Sequence, residues 1–149
     1  MFRIRVDVKP IELTYEGGKN FITDISYVIG GAGAGKSYLC QSEVSKLLLS
    51  VNNSKVVYIT DEETEESVTR KCCGHPHNDN LAVLSVKSLE EVITSVEGVI
   101  QTTPDLLVLD LGFVLKGRNL LDALLYELHK SGVRTLITQQ LNRKESLSD

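Results

Sequence analysis

The stretch Gly30-Gly31-Ala32-Gly33-Ala34-Gly35-Lys36-Ser37 fits the eight-residue pattern G-x-x-x-x-G-K-[ST], and it decides how the rest of the chain is read. In that pattern successive backbone N–H groups cradle phosphate oxygens, the lysine reaches the terminal phosphates and the hydroxyl holds Mg²⁺. The flanks suit the task. The run Ile25-Ser26-Tyr27-Val28-Ile29 reads as a buried strand, and residues 36–49 read as a helix whose N-terminal dipole favours a polyphosphate. Tyr38, directly after the hydroxyl, belongs to the same binding segment. The competing reading is a glycine-rich turn that joins a strand to a helix and holds no ligand.

Outward from this stretch, strands and helices alternate. Residues 2–8 alternate apolar and charged side chains with period two, as a half-exposed antiparallel strand does, and Pro10 ends them. Residues 11–15 form a second strand, and Glu16-Gly17-Gly18-Lys19-Asn20 is a turn by composition, so residues 1–20 are expected to make an N-terminal β-hairpin or edge extension. Residues 55–60 are β-rich and apolar after the lysine, like a parallel strand buried on both faces. The acidic run Asp61-Glu62-Glu63-Thr64-Glu65-Glu66 opens a helix that continues to about Lys71. Residues 81–86 are a short strand. Ser88 and Glu91 have capping-box spacing ahead of Leu89, Val92, Ile93, Val96 and Ile100, which repeat at helical intervals. Residues 105–110 are a buried strand ending in a carboxylate. A loop with Lys116, Gly117 and Arg118 leads to a helix capped by Asn119, with Gly132 placed as its left-handed end. Residues 133–138 are the last strand. Strands alternating with helices imply an α/β three-layer αβα sandwich, with ligands at the carboxyl ends of the strands.

Composition bounds the remainder. A chain of 149 residues makes one domain. No apolar run of membrane length and no basic leader followed by an apolar segment is present, and three cysteines, two of them adjacent, make no disulfide framework, so a reducing cytosol is expected. The formal charge of −4 argues against a protein that coats nucleic acid at large, but leaves room for a local basic loop. Cys72-Cys73-Gly74-His75-Pro76-His77 reads as a surface loop after a helix, since adjacent cysteines seldom ligate one tetrahedral zinc.

Several side chains at strand ends carry candidate chemistry. Asp110 is placed to anchor Mg²⁺ opposite Ser37. Glu62 and Glu63 follow a neighbouring strand, where a carboxylate can polarise the water that attacks a γ-phosphate; the alternative is an acidic turn that only stabilises a helix. Gln139 and Gln140 follow the last strand, where an amide can touch the γ-phosphate.

The phosphate loop, Val56-Val57-Tyr58-Ile59-Thr60-Asp61-Glu62-Glu63-Thr64, Leu106-Leu107-Val108-Leu109-Asp110 and residues 135–143 occur in the order and spacing of the RecA-like ATPase core. The glutamate segment is similar to that of the KaiC and RadA branch, and Gln140-Leu141-Asn142-Arg143 resembles a segment of replicative DnaB-type helicases. The resemblance covers about residues 22–143. It implies ATP and Mg²⁺ as ligands, Lys36 and Ser37 on phosphate and metal, Asp110 as the Walker B acid, Glu62 as catalytic base and Gln140, or Gln139 in its place, as γ-phosphate sensor. It also implies the strand order 81–86, 55–60, 105–109, 133–138, 25–30, a ring or filament of subunits, and DNA as a partner through Lys116, Arg118 and Arg143. RecA-like domains continue with further strands where this sequence ends at Asp149, which keeps a non-hydrolysing nucleotide switch open beside the ATPase. A small phosphate-loop kinase is the other alternative.

Overall fold

Strands β5 (Val56–Thr60) and β7 (Leu106–Asp110) are buried at every residue. That is the fate of apolar runs in a parallel sheet with helices on both faces. The computed structural model describes residues 5–8, 11–15, 18–22, 25–30, 35–112 and 118–140. Before β5 come β1 (Arg5–Val8), β2 (Ile11–Tyr15), β3 (Gly18–Ile22), β4 (Ile25–Gly30) and α1 (Lys36–Ser50). After it come α2 (Glu65–Cys73), β6 (Leu81–Ser85), α3 (Leu89–Thr102), β7, α4 (Arg118–Ser131) and β8 (Thr135–Gln140).

Five parallel strands stand in the order β6-β5-β7-β8-β4, the order the resemblance implied, and β1 adds antiparallel to β4 at the far edge. Alternate residues of each strand feed two apolar clusters. Leu107 and Leu109 of β7, with Val57 and Ile59 of β5, pack under Val92, Val96 and Val99 of α3 and Leu124 and Leu128 of α4. Leu106 and Val108, with Val56 and Tyr58, pack under Cys40 and Val44 of α1 and Val68 and Cys72 of α2. The fold is therefore an α/β three-layer sandwich. Among the described residues no helix is long and apolar enough to cross a membrane.

Local chemistry sets the helix ends. Thr64 Oγ1 accepts from Ser67 N at 3.2 Å and so starts α2, with Glu65 and Glu66 in its first turn. Ser88 Oγ accepts from Glu91 N at 3.2 Å and starts α3, while Glu91 Oε2 accepts from Lys87 N at 2.7 Å, one residue further back than in a regular capping box. Gly132 takes φ 74 after α4, where its lack of a Cβ makes the left-handed turn cheap.

The structure corrects the sequence reading at five places. The hairpin is β2 with β3, so Gly18, Lys19 and Asn20 are strand rather than turn, and β1 leaves it to pair with β4. Backbone pairing overrides composition there. Helix α2 starts at Glu65, not in the acidic run at Asp61, because Thr64 is its cap; Glu62 and Glu63 thus sit in the connection from β5. Cys72 and Cys73 are the last residues of α2 instead of loop, Cys72 facing the core. Helix α4 begins at Arg118, so Asn119 lies inside it and is no cap. Strand β8 runs from Thr135 to Gln140 instead of ending at Thr138, because its pairing with β4 continues to the end of that strand.

Leu109 is fully buried and Leu84 on β6 is 37% exposed. Leu109→Ala is expected to lower the unfolding free energy by about 2–5 kcal/mol, and Leu84→Ala by less than about 1 kcal/mol, as read from urea unfolding of the two variants.

Candidate functional site

In a covered parallel sheet the polar residues gather where strands end. Here β4 ends at Gly30 and β8 at Gln140, which are register partners, and β5 ends at Thr60 opposite Asp110 of β7. Four strand ends therefore share the carboxyl edge that α1 leaves. Gln139 and Gln140 have their backbones in β8 opposite Ile29 and Gly30, the last residue of which opens the phosphate-binding pattern. Gly31, Ala32, Gly33 and Ala34 lie outside the described residues, as do Lys116 and Arg143; Arg118 opens α4.

Helix α1 begins differently from α2 and α3. Its N-cap, Gly35, has φ 91, a backbone that residues with a Cβ adopt only at a cost. Among the described residues it has no side-chain cap and no acidic residue in its first turn. A helix start with no acid in its first turn keeps the positive end of its dipole for whatever lies ahead of it. Lys36 and Ser37 are the first two helical residues, both half-buried, and Tyr38 after them is 67% exposed. Ser37, Tyr38 and Gln41 line one wall of an open cleft of about 920 Å³, with Glu62, Glu63 and Lys71 on the other.

A hydrogen-bonded chain crosses beneath this cleft. Asp110 is 5% exposed, and its Oδ2 accepts from the hydroxyl of the fully buried Tyr58. Gln41 Nε2 reaches the Tyr58 hydroxyl at 3.5 Å and donates to Glu63 Oε2 at 2.8 Å. Glu63 Oε1 is paired with Lys71 Nζ and accepts from Ser67 Oγ at 3.3 Å. Both carboxylate oxygens of Glu63 are thus taken up by the protein.

Glu62 is placed otherwise. It is exposed, its backbone N–H donates to Thr60 Oγ1 at 3.2 Å, and its side chain lies across Gly112. A Cβ at 112 would overlap Glu62 Oε1 and come within 2.8 Å of its Cδ. The strip after Asp110 is itself pinned, with Leu111 N donating to Thr138 Oγ1 at 3.0 Å and Gly112 N to Asp61 Oδ1 at 2.7 Å. Partial desolvation in this notch raises the Glu62 carboxyl above the usual carboxylate range; the charges of Asp61 and Asp110 add to the rise, and Lys36 opposes it. The pair that the sequence left joined is separated by hydrogen bonding.

Hard oxygen donors are what a phosphate-bound Mg²⁺ uses, and it commonly takes only one or two from the protein. Asp110 and Ser37 fit that donor set. Among the described residues no three His, Cys, Asp or Glu side chains gather to hold a metal by themselves. The thiols fit no such role. Burial raises Cys40, with Asp110, Cys72 and Glu43 adding to it, and burial pushes Cys72 up to about 12, so both stay protonated at neutral pH.

Sequence reasoning missed Tyr58, Gln41, Asp61, Gly112 and Thr138. The signal for the first was available: a tyrosine inside an apolar run buried on both faces has a hydroxyl that must find a partner.

No family model matches the chain. No curated protein matches it either. Among solved structures, that of SulA from Pseudomonas aeruginosa is similar, with a TM-score of 0.55 at 13% identity over 79% of this chain and 98% of that one. At that identity the likeness is one of fold.

Gly112→Ala tests the notch. The overlapping atoms are the far end of a flexible side chain, so the stability change is expected to stay within about 1 kcal/mol, while Glu62 swings out and its carboxyl titrates closer to the ordinary range in a ¹³C NMR titration.

Proposed function

We propose that this chain is a Mg²⁺-dependent ATPase of the RecA-like kind, acting in the reducing cytosol on DNA, with its site completed by a neighbouring subunit in a ring or filament. The observation that carries the reading is the convergence at one sheet edge: Gly30 and Gly35-Lys36-Ser37 around the start of α1, Asp110 at the end of β7 and Glu62 just past β5. The sheet order supports it as well.

In this reading Lys36 and the α1 N–H groups bind the β- and γ-phosphates, with Gly30 to Gly35 letting backbone approach closely. Ser37 and Asp110 hold Mg²⁺, which neutralises charge on the phosphates when bound. Glu62 orients a water toward the γ-phosphorus and takes its proton as the new P–O bond forms and the bond to ADP breaks. Glu63 braces that strand end through Gln41 and Lys71. Gln140 or Gln139, paired by backbone to Gly30 and Ile29, reports loss of the γ-phosphate, and Tyr38 borders the bound nucleotide. Lys116, Arg118 and Arg143 supply a local basic contact for DNA on a chain whose net charge is −4.

The open cleft beside Ser37 and Glu62 favours one second reading, phosphoryl transfer to a small acceptor seated there. Release of inorganic phosphate from ATP without an added acceptor argues for hydrolysis.

The test is ATP hydrolysis and nucleotide binding by the full chain at low salt, with and without single-stranded DNA. Lys36→Ala is expected to lose nucleotide binding. Glu62→Gln is expected to keep it and to lose about 10²–10⁴-fold in turnover, the usual contribution of a general base. Tight binding by the wild-type chain without turnover under any condition would replace the ATPase by a non-hydrolysing switch.

The pH dependence follows in sign. Glu62 accepts a proton only when ionised, so turnover is lost as pH falls through its raised pKa, at higher pH than for an ordinary glutamate. Asp61→Asn keeps an acceptor for Gly112 N and removes a charge that raises Glu62. The acid limb of its rate profile is expected to move to lower pH than that of the wild type.

A further inference from the structure

We infer that Tyr58 is a positioning residue for Asp110, and that Gln41 and Tyr58 together set the placement of Asp110 relative to the start of α1. The inference rests on the reading of Asp110 and Ser37 as the Mg²⁺ ligands.

Tyr58 and Asp110 lie on the same face of the sheet, Tyr58 opposite Val108 and Thr60 opposite Asp110 in the β5–β7 register. From one step down the neighbouring strand the phenol reaches up to Asp110 Oδ2. A carboxylate at a strand end can turn about its side-chain bonds; a buried, charge-assisted hydrogen bond to one oxygen fixes the direction of the other.

The direction of the chain is set by its chemistry. A phenol has one proton, and Tyr58 spends it on Asp110, so its oxygen is left to accept from Gln41. The Gln41 amide nitrogen has two protons, one directed at Tyr58 and one at Glu63 Oε2. No flipped amide satisfies both acceptors. Gln41 is 6% exposed and lies four residues after Ser37, on the same side of α1. The helix that presents Ser37 is thereby tied through Gln41 and Tyr58 to the strand that presents Asp110. The links of Tyr58 to Asp110 and to Gln41 are buried, whereas Glu63, at the far end of the chain, borders the open cleft.

The experiment uses the full chain, adenylyl imidodiphosphate as a non-hydrolysable nucleotide, and Mn²⁺ as a spectroscopic stand-in for Mg²⁺. The Mn²⁺ affinity of the nucleotide complex is read by electron paramagnetic resonance, and nucleotide affinity is read separately in EDTA. Tyr58→Phe, which keeps the ring and deletes the donor, is expected to weaken Mn²⁺ binding about 10–100-fold, the cost of losing a partner of a metal ligand, with nucleotide affinity in EDTA unchanged. A role in core packing alone would lower the unfolding midpoint and leave Mn²⁺ affinity at the wild-type value, and that result overturns the inference. Gln41→Met, which keeps the Tyr58 contact with Asp110, is expected to weaken Mn²⁺ binding by a smaller factor; wild-type affinity in this variant overturns its share of the inference even if Tyr58→Phe fails to fold. A wild-type chain that binds no nucleotide removes the proposed function and this inference together, whereas a wild-type chain that binds Mn²⁺ and nucleotide beside an unaffected Tyr58→Phe removes the inference alone.

Discussion

Burial of β5 and β7 on both faces is the constraint from which the rest of the molecule follows. A strand covered above and below has no place for a charge except at its ends, since an unpaired buried charge costs several kcal/mol or more. The chain obeys this closely. Along β7 four leucine and valine residues precede Asp110, and along β5 the sequence turns acidic immediately after Thr60. Reactive groups are thereby collected at one edge by the same hydrophobic force that builds the core.

One polar chain within the core is informative. Tyr58 and Gln41 are polar, buried and hydrogen-bonded, and through β5 they connect α1 to β7. A buried polar chain of this kind contributes less to net stability than to uniqueness, because only one arrangement of donors and acceptors satisfies every member. Glu63 terminates that chain, and its engagement leaves its neighbour Glu62 to face the cleft. Two adjacent identical side chains have different surroundings because the connection from β5 presents one toward Gln41 and Lys71 and the other toward Gly112.

Much of the layered fold could be read from residues. Apolar runs with β-branched content gave the central strands, and Ser88 with Glu91 and Gly132 marked helix ends by hydrogen-bond chemistry that is local in sequence. What escaped depended on partners distant in sequence. The period-two pattern of residues 2–8 says that one face is covered and not by what, so β1 could be given to a hairpin when it belongs beside β4. Gly18 and Asn20 have turn chemistry, yet pairing with Tyr15 and Leu13 holds them in a strand. Gln139 and Gln140 look like residues beyond a strand because they are polar, while the ladder with β4 is made by backbone. In the candidate site the motif residues were legible one by one, whereas the division of labour between Glu62 and Glu63 required knowing which side chains stand opposite them.

The buried thiols of α1 and α2 give this molecule a built-in clock. Cys40 and Cys72 are held protonated between helix and sheet, and the chain has no tryptophan to report on its interior by fluorescence. A thiol reagent can reach them only when that helical layer lifts from the sheet, so the rate at which they are modified counts openings of the layer that carries Ser37 and Gln41. Slower modification on adding a small molecule would reveal that it clamps this layer shut, whatever chemistry follows.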